Sequence, residues 1–521
     1  MQAPMKPAPD QSTVVSQVHE RARCIPDRVA VHFGDQSLTF ADIDRRSNQV
    51  AEGLRAAGLR RGSRIGVLAK NTPTLYDLAL GAAKANVALV PTNYRLAAAE
   101  IAYILQDAEV EFIFVASDYG EMIGQIKKEL PALRHVITID GPEYPSREYV
   151  EWRHRYSDAD VQHDLDPEDV FVQVYSSGTT GRPKGVPLTN RNIWEALKVR
   201  LEAWGPWHDR DVIHVCMPQY HIGAVMWGLG GLCRGVTSVL TREYKPAEVL
   251  DMIPRYRITK TQLASSMLKM LLDEPGCKST DFSSLEYICY GGGTSSEGLA
   301  AEAQRVFRCG LCQGYGMTES SGAMVYMTPP EYARGVGERL KSAGRPLPTV
   351  DIRICAPDGS VLGPREVGEI VCRGPQVMKG YWKLPAASME TLRDGWLHTG
   401  DAGYLDEDGY LYVCDRIKDM IRSGGENIYS AEVESALSAH PSVKDAAVIA
   451  VPDAHWGEVP KAFVVVVSKD APTEQELIEF VRSRIAHYKA PKSVEFVESL
   501  PRNASGKVLK RQLRAPYWKA I

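Results

Sequence analysis

The chain has 521 residues, and its 44% hydrophobic and 24% charged content is typical of globular proteins and excludes a disordered or fibrous chain. This length exceeds one ordinary domain and predicts roughly three folding units. With 61 Lys and Arg against 65 Asp and Glu, the formal net charge is −4, so no overall field attracts an anionic polymer. Nucleic acid is therefore not expected as a partner.

No segment has the length of a membrane span or the pattern of a secretion signal. The longest apolar run, Ile222–Cys233, is well short of the ~20 residues that cross a bilayer. Residues 1–12 are Pro-rich and polar and predict a loose tail. The ten cysteines are scattered as reduced thiols are, which predicts a cytoplasmic protein. Cys309 and Cys312 form one CxxC in a strand-like stretch, VFRCGLC, where core thiols are expected rather than a metal site.

Strand-like and helix-like patterns alternate over the first part of the chain. Apolar periodicity predicts helices over 40–57, 74–85 and 97–107. Short apolar runs between them predict strands over 64–69, 87–91 and 111–116. Strands separated by helices of about a dozen residues are typical of βαβ units, so the sequence predicts an α/β fold with parallel sheet.

The pattern changes after about residue 350, where turn sequences such as APDG and DEDG separate short strand-like runs. Gly368–Cys372 and Tyr410–Val413 predict antiparallel hairpins in a small β-rich subdomain. The remaining chain predicts a compact unit with helices over 430–439 and 473–484 and strands over 445–451, 462–467 and 493–497. The expected domain boundary lies within Arg416–Asp419, which divides the chain into 1–417 and 418–521.

The clearest chemical signal is the segment Tyr175–Gly185, YSSGTTGRPKG. Small residues let backbone N–H groups approach an anion, hydroxyls add donors, and Lys184 adds positive charge. It differs from a Walker A loop because Pro183 precedes the lysine and Gly185 follows it. The segment predicts a loop that binds phosphate groups.

Four further motifs follow in order: QGYGMTE at 313–319, WLHTGD at 396–401, RIKDMIRSGGENIY at 416–429 and PRNASGK at 501–507. With YSSGTTGRPKG, they resemble the signature motifs of the adenylate-forming superfamily, which includes acyl-CoA synthetases, peptide-synthetase adenylation domains and firefly luciferase. The resemblance runs from about Thr39 to the carboxyl end. It implies a large N-terminal adenylate-forming domain, with βαβ parallel-sheet subdomains and a small β-rich subdomain, followed by a mobile, small α+β domain.

The activity that the resemblance implies is that of a free-standing fatty or aryl acid–CoA ligase. ATP and a carboxylic acid give an acyl-adenylate and pyrophosphate, and a thiol then takes the acyl group and releases AMP. ATP, Mg²⁺ and CoA are the implied cofactors and cosubstrates. The partners are therefore small molecules, with a homodimer and peripheral contact with a membrane left open.

The resemblance assigns most site residues to the nucleotide. The phosphate loop would hold the β- and γ-phosphates, Tyr315 would lie against adenine, and Asp401, with Arg416, would contact the ribose hydroxyls. Thr318 would contact the α-phosphate as a catalytic residue, and Glu319 would bind Mg²⁺. The full expected nucleotide set is Ser176, Ser177, Gly178, Thr179, Thr180, Lys184, Gly292, Gln313, Gly314, Tyr315, Asp401 and Arg416.

Lys507 is the main catalytic residue that the resemblance implies, because an ammonium can stabilise the negative charge that develops during attack on the α-phosphorus. The nearby Lys510, Arg511 and Arg514 are expected on a solvated helix face.

The resemblance also places a second group of residues at the thiol. Lys418 is the implied hinge about which the small domain swings between the two half-reactions. Gly424 and Gly425 would border the pantetheine tunnel, and Trp456 would stack on the CoA adenine, although a half-buried core Trp is an equal interpretation.

His221, in MPQYHIG, together with Gly291 and Gly293, is the expected boundary of the acid pocket. Gly293 departs from the family's usual Gly-Gly-Ala-Pro, which leaves the substrate open. Gln219 stands where amino-acid-activating domains usually carry an acidic residue. The neighbouring apolar residues favour a fatty or aryl acid; they are Tyr220, Val225, Met226 and Trp227.

Two alternatives remain. An enzyme of the same superfamily could load the acid onto a carrier protein in trans instead of CoA. In a different class, a nucleotide-binding regulator could keep the fold without catalysis. The presence of Lys507 and Glu319 argues against the regulator, because loss of either would have suggested it.

Overall fold

The computed structural model describes residues 12–141, 144–160, 165–176, 182–292, 297–335, 337–423, 426–467, 472–502 and 508–518. In this part of the chain, no helix is long and apolar enough to cross a membrane.

Sixteen helices lie in these residues. They are α1 (Val14–Cys24), α2 (Phe40–Ala56), α3 (Thr74–Lys84), α4 (Ala98–Asp107), α5 (Gly120–Ile126), α6 (Arg147–Arg153), α7 (Asn190–Ala203), α8 (Ile222–Arg234), α9 (Pro246–Tyr256), α10 (Ser265–Asp273), α11 (Glu297–Phe307), α12 (Pro329–Arg334), α13 (Pro385–Thr391), α14 (Ser430–Ser438), α15 (Glu474–Arg482) and α16 (Lys510–Arg514).

The described residues also form 25 strands. They are β1 (Val29–Phe33), β2 (Gln36–Thr39), β3 (Arg64–Leu68), β4 (Ala88–Pro91), β5 (Phe112–Ala116), β6 (His135–Asp140), β7 (Val170–Ser176), β8 (Lys184–Thr189), β9 (Val212–Val215), β10 (Thr237–Leu240), β11 (Lys260–Ala264), β12 (Tyr287–Gly291), β13 (Gly310–Met317), β14 (Gly322–Met327), β15 (Arg345–Pro346), β16 (Asp351–Cys355), β17 (Gly368–Arg373), β18 (Leu392–Arg393), β19 (Trp396–Leu405), β20 (Leu411–Arg416), β21 (Ile421–Ser423), β22 (Glu426–Ile428), β23 (Val443–Asp453), β24 (Gly457–Val466) and β25 (Ser493–Phe496).

Two mainly parallel sheets form the larger part of the structure. The first has the order β6-β5-β3-β4-β7-β8, with only the last pair antiparallel. The second has the order β15-β14-β13-β12-β11-β9-β10-β1-β2, with parallel pairing from β13 to β1 and antiparallel edges. These sheets confirm the predicted α/β fold with parallel βαβ units.

Two smaller sheets follow in chain order. The third sheet is antiparallel, with the order β16-β17-β19-β18 and β20 paired with β19. The fourth has the order β22-β21-β24-β23, with β25 parallel to β24, and α14 packs on β23. The predicted hairpins and the α+β character of the last unit are therefore confirmed. The exact domain boundary at 417/418 stays a prediction.

Helices from the first two sheets meet in the largest core. α3 packs on β4 and β7 of the first sheet, whereas α8 packs on β9 and β10 of the second. The two helices touch at Gly228, where a Cβ would lie 2.3 Å from the hydroxyl oxygen of Tyr76. The apolar run that reads as the longest in the sequence is thus the buried helix α8.

One local prediction is wrong. Val306 and Phe307 of the VFRCGLC stretch belong to the end of α11, and only the second half enters β13. Phe307 is buried against the second sheet, so its apolar side chain serves a helix face rather than a strand. Cys309 and Cys312 are free thiols, as expected.

Asp77 is a carboxyl carried into this core by α3. It is 0% exposed, and its Oδ2 accepts a hydrogen bond of 3.2 Å from the Tyr149 hydroxyl. Burial raises its pKa from 3.8 to about 6. Between about pH 4 and pH 6, the folded protein therefore holds a proton on Asp77 that the unfolded chain releases. The contribution of this carboxyl to the free energy of unfolding becomes less favourable as the pH rises through this range.

Asp77→Asn is expected to stabilise the protein at neutral pH by about 3 kcal/mol, because the amide stays neutral and one pKa unit corresponds to ~1.4 kcal/mol. At pH 4 the gain should nearly vanish. Thermal unfolding midpoints of both proteins between pH 4 and 7.5 measure this difference. Asp251→Asn, at an exposed position of α9, is the control. A difference between Asp77→Asn and the native protein that does not vary with pH would contradict the account.

Candidate active site

The predicted phosphate loop is the connection between two antiparallel strands. β7 ends at Ser176, which pairs in register with Lys184 at the start of β8. The hairpin therefore places a hydroxyl and an ammonium side by side at the edge of the first sheet. Its tip, residues 177–181, lies outside the described residues, and with it the predicted Ser177, Gly178, Thr179 and Thr180.

Glu319 lies on a short 3₁₀ turn, Thr318–Ser320, which joins β13 to β14 in the second sheet. The turn closes through Ser321, whose φ of 56° is in the left-handed region. Arg200 holds the backbone that leads from this turn into β14. Its guanidinium donates to the carbonyl oxygens of Ser321 at 2.6 Å and Ala323 at 2.6 and 2.9 Å. Thr318 opens the turn and is half-buried.

Glu319 is 5% exposed, and one of its carboxylate oxygens accepts hydrogen bonds from two hydroxyl groups. Ser176 Oγ donates to its Oε1 at 3.1 Å, and the Tyr381 hydroxyl donates to the same atom at 2.9 Å. Among the described residues, no hydrogen bond reaches Oε2. A buried carboxylate with one oxygen available is a suitable ligand for Mg²⁺, a hard cation that takes one or two protein carboxylates beside nucleotide phosphates. Mg²⁺ would supply neutralising charge at those phosphates.

A second cluster joins Tyr315, Asp401 and Arg416. The Tyr315 hydroxyl donates to Asp401 Oδ2 at 2.7 Å, and Arg416 Nε lies 2.6 Å from Oδ1. Asp401 and Arg416 are register partners in β19 and β20, which are joined by the DEDG turn. This pairing explains why a residue before the turn contacts one after it. Burial and the Asp401 carboxylate raise the pKa of Tyr315, so its hydroxyl stays a donor. The arrangement suits a nucleoside, with a carboxylate for hydroxyl groups beside an aromatic ring.

The two clusters are neighbours. Burial and the Glu319 carboxylate raise the pKa of Tyr381, whereas the Arg416 guanidinium acts on that pKa in the opposite direction. Lys184 Nζ lies 4.7 Å from the centre of the Tyr381 ring. The predicted Ser176, Lys184, Tyr315, Glu319, Asp401 and Arg416 are therefore brought together. Tyr381 was not predicted, because nothing in the sequence around it marks the residue.

Glycines keep the end of β12 close to β13. Gly291 pairs with Gly314, and a Cβ on Gly291 would lie 2.3 Å from the carbonyl oxygen of Gly314. Gly292 follows with a φ of +79° and open space where a side chain would project. Gln313 instead points its amide oxygen to buried Tyr290 and Tyr332, at 3.2 and 3.1 Å. Its nucleotide contact therefore stays a prediction.

His221 caps the N-terminus of α8 and lies next to Tyr220, with ring centres 4.5 Å apart. Burial lowers the pKa of His221 to about 4, so the ring is neutral at physiological pH. Within the described part of the chain, neither its Nε2 nor the Tyr220 hydroxyl has a hydrogen-bond partner. Two buried, uncharged polar atoms thus lie at the start of α8.

The other residues expected around the acid have different surroundings. Val225, Met226 and Trp227 are about 1% exposed and pack in the main core, where Trp227 contacts Trp204 at a ring distance of 4.8 Å. Gln219 Oε1 accepts the backbone N–H of Thr72 at 2.8 Å. The prediction that these four residues face the acid stays a prediction.

Two cations of α16 pair with acids elsewhere in the chain, and one of them, Arg514, braces the segment that carries the predicted hinge. Arg514 donates to the carbonyl oxygen of Lys418 at 3.2 Å and pairs with Asp419 at 2.9 Å. Lys510 pairs with Glu434 at 2.7 Å. The expectation of a solvated helix face is therefore wrong for Lys510 and Arg514, because acids distant in the sequence fold against them. It holds for Arg511, which is exposed.

Burial lowers the pKa of Lys418. Trp456 is 45% exposed, with His455 against its ring at 4.5 Å, and it belongs to none of the hydrophobic cores of the described residues, so its alternative interpretation as a core residue is wrong. Four further predicted residues lie outside the described part of the chain; they are Gly293, Gly424, Gly425 and Lys507.

Comparison with known proteins identifies the family of this chain. A family model of the AMP-binding enzyme matches residues 18–382, and one of the AMP-binding enzyme C-terminal domain matches residues 432–507. The fatty acid–[acyl-carrier-protein] ligase ScoC of Streptomyces coeruleorubidus is 37% identical over 98% of this chain and 97% of its own length. The feruloyl-CoA synthase of an Amycolatopsis species is 38% identical over 95% and 97%.

Solved structures are similar over nearly the whole chain. The o-succinylbenzoate CoA synthetase of Bacillus subtilis, in complex with its acyl-adenylate intermediate, has a TM-score of 0.83 and 32% identity, covering 96% of this chain and 97% of that one. The same enzyme with ATP and a magnesium ion has a TM-score of 0.83, 32% identity, and coverage of 96% and 99%.

This chain belongs to the AMP-binding enzyme family. It is an ATP-dependent, AMP-forming acid–thiol ligase of the acyl-CoA synthetase type, with ATP, Mg²⁺ and CoA as the cofactors and cosubstrates of that class.

The brace between α16 and the hinge segment is testable by proteolysis. Arg514→Gln removes a partly exposed ion pair worth about 1 kcal/mol, so local opening around Lys418 should become ~5-fold more frequent. Limited trypsin digestion, followed by mass spectrometry of fragments cut after Lys418 or Arg422, measures it. Arg511→Gln, exposed on the same helix, is the matched control. Equal cleavage rates for the two variants would show that the brace does not hold this segment.

Proposed function

We propose that this protein joins an apolar carboxylic acid, a medium- or long-chain fatty acid or an aryl acid, to CoA through an acyl-adenylate. The observation that carries the proposal is a pair of neighbouring clusters. Ser176 and Tyr381 donate to the Glu319 carboxylate, with Lys184 against the Tyr381 ring, while Tyr315 and Arg416 contact Asp401. In this proposal Glu319 is the oxygen ligand for the metal, Lys184 binds phosphate and Asp401 binds the ribose.

In the first half-reaction, a carboxylate oxygen of the acid attacks the α-phosphorus of ATP and expels pyrophosphate. Lys184 and the loop before it hold the β- and γ-phosphates, and Thr318 contacts the α-phosphate. Asp401 accepts hydrogen bonds from the ribose hydroxyls, while Tyr315 lies against adenine. Lys507 stabilises the negative charge on the reacting oxygens.

In the second half-reaction, the thiol of CoA loses its proton and its sulfur attacks the acyl carbon. The bond between that carbon and the AMP oxygen breaks, and AMP leaves with the oxygen. We propose Lys418 as the hinge that exchanges the two arrangements of residues 418–521. Gly424 and Gly425 then border the path of the thiol arm, and Trp456 contacts the CoA adenine.

Two neutral residues at the start of α8 support an apolar substrate. His221 is neutral because burial lowers its pKa to about 4, and Gln219 supplies no charge for an ammonium group. The similarity to a fatty acid ligase at 37% and to a feruloyl-CoA synthase at 38% favours neither acid class. Gly291 and Gly293 border the acid in this proposal.

AMP release across a panel of acids tests the proposal. Acetate to oleate, benzoate, cinnamates and amino acids are each supplied with ATP and Mg²⁺, with and without CoA. AMP formation with an equal loss of free thiol for one apolar class is the expected result. Turnover confined to amino acids, or no turnover with any acid, would contradict it.

A carrier protein is the second candidate acceptor, and the similarity to ScoC supports it. The exposed Trp456 favours free CoA, because an aromatic face in solvent is available for adenine. Acid-dependent pyrophosphate exchange without CoA-dependent thioester would favour the carrier.

We also propose that the enzyme acts in the cytoplasm, where its ten free cysteines would stay reduced. No nucleic acid is proposed as a partner. A homodimer is a further proposal, which sedimentation of the purified protein tests.

Lys507→Ala is expected to lower acid-dependent pyrophosphate release by ~10²-fold or more, because one preorganised electrostatic group is typically worth that much. Thioester formation from supplied acyl-adenylate should change far less. Lys492→Ala, an exposed lysine of the same unit, is the control. Equal losses in the two half-reactions would contradict a role limited to adenylation.

Trp456→Ala is expected to raise the KM for CoA by ~10-fold, since stacking of a base on an aromatic ring contributes about that much. Pantetheine lacks adenine, so its KM should not change. Trp518→Ala, another exposed tryptophan at 40%, is the control. An equal rise in the KM for pantetheine would contradict a contact between Trp456 and the CoA adenine.

A further inference from the structure

One short segment touches both halves of the phosphate site. Residues 378–382, here named the strap, lie between β17 and β18 of the third sheet and contact residues of the other two sheets. Met378 donates its backbone N–H to the carbonyl oxygen of Glu319 at 2.8 Å, and Trp382 donates its backbone N–H to that of Gly185 at 2.8 Å. The strap therefore holds the Glu319 turn at one end and the phosphate hairpin at the other.

The Trp382 end of the strap is anchored independently of the site. Its indole Nε1 donates to the carbonyl oxygen of Asp107 at 2.9 Å, and the Arg64 guanidinium lies 3.5 Å from the centre of its ring. Arg64 also donates to Gln173 at 3.0 Å in β7. The strap thus has a fixed position relative to the first sheet.

Tyr381 lies next to the Trp382 end of the strap, and its side chain makes two separate contacts. Its hydroxyl donates to Glu319 Oε1 at 2.9 Å, and its ring faces Lys184 Nζ at 4.7 Å. The backbone N–H of Tyr381 donates to Ser388 Oγ at 2.8 Å, so the backbone is held without the hydroxyl. A single side chain therefore contacts both the carboxylate and the ammonium.

We propose that Tyr381 is a positioning residue that orients the Glu319 carboxylate for Mg²⁺ and the Lys184 ammonium for phosphate. The proposal rests on the functions proposed above for Glu319 and Lys184. Ser176 and the Tyr381 hydroxyl both donate to Oε1, so they restrict the rotation of the carboxylate and leave Oε2 without a hydrogen bond among the described residues. In the described residues no carboxylate pairs with Lys184, so the aromatic face is its described cation partner.

The two contacts can be separated by mutation. Tyr381→Phe keeps the ring beside Lys184 and removes the hydroxyl, whereas Tyr381→Leu removes both. Loss of a hydrogen bond to a buried charged group should weaken Mg²⁺-dependent binding of the nucleotide by ~10-fold or more. Loss of a partly exposed cation–π contact, such as that of Lys184 with Tyr381, should weaken binding by about a few-fold.

Binding and kinetics of the full-length protein test the proposal together. Calorimetry with α,β-methylene-ATP, with and without Mg²⁺, gives dissociation constants, and pyrophosphate release gives the Mg²⁺ concentration for half-maximal rate. For Tyr381→Phe we expect ~10-fold weaker binding only when Mg²⁺ is present, and a ~10-fold higher Mg²⁺ requirement. For Tyr381→Leu, binding without Mg²⁺ should also weaken by a few-fold.

Two further variants separate the possible failures. Tyr404→Phe removes a hydroxyl from the same third sheet, where Tyr404 stacks on Tyr412 at 4.7 Å, and it should change neither measurement. Glu319→Gln tests the proposed metal ligand itself, and no change in Mg²⁺ dependence would overturn that function. A shift with Glu319→Gln but none with Tyr381→Phe would overturn the positioning role alone. So would a lower unfolding midpoint for Tyr381→Phe with unchanged Mg²⁺ dependence.

Discussion

The Glu319 carboxylate is the point on which the geometry of this site depends. A buried charge is costly unless donors compensate it, and here the hydroxyls come from Ser176 in the first sheet and from Tyr381, between β17 and β18 of the third. Glu319 itself belongs to the second sheet. Side chains from segments of three sheets therefore meet at this carboxylate, and its hydrogen bonds depend on how those sheets pack together.

The pair of Asp401 and Arg416 connects this fixed site to the unit that follows. β20 ends at Arg416, two residues before the proposed hinge, and the register between β19 and β20 holds the guanidinium on Asp401 at 2.6 Å. A hinge at Lys418 would leave this pair in place while the later residues move. That separation suits an enzyme in which one nucleotide site serves two reactions and different groups approach it in turn.

The sequence predicts the architecture well, because apolar periodicity and turn residues act locally. It also predicts Ser176, Lys184, Glu319, Asp401 and Arg416 from motif resemblance. It does not predict Arg200 or Tyr381, whose contacts join residues far apart in the chain and leave no local pattern. For the same reason, the charged faces of Lys510 and Arg514 read as solvated, although Glu434 and Asp419 fold against them.

Transfer of oxygen from the acid to AMP tests most directly the central claim, which is that the reaction passes through an acyl-adenylate. An acid that the enzyme accepts as a substrate is labelled with ¹⁸O in both carboxyl oxygens and incubated with ATP, Mg²⁺ and CoA. The products are then analysed by mass spectrometry. Attack of the carboxylate on the α-phosphorus, followed by cleavage of the acyl–oxygen bond, predicts one ¹⁸O atom in AMP and none in pyrophosphate. Unlabelled AMP, or label in another phosphate product, would contradict an acyl-adenylate intermediate.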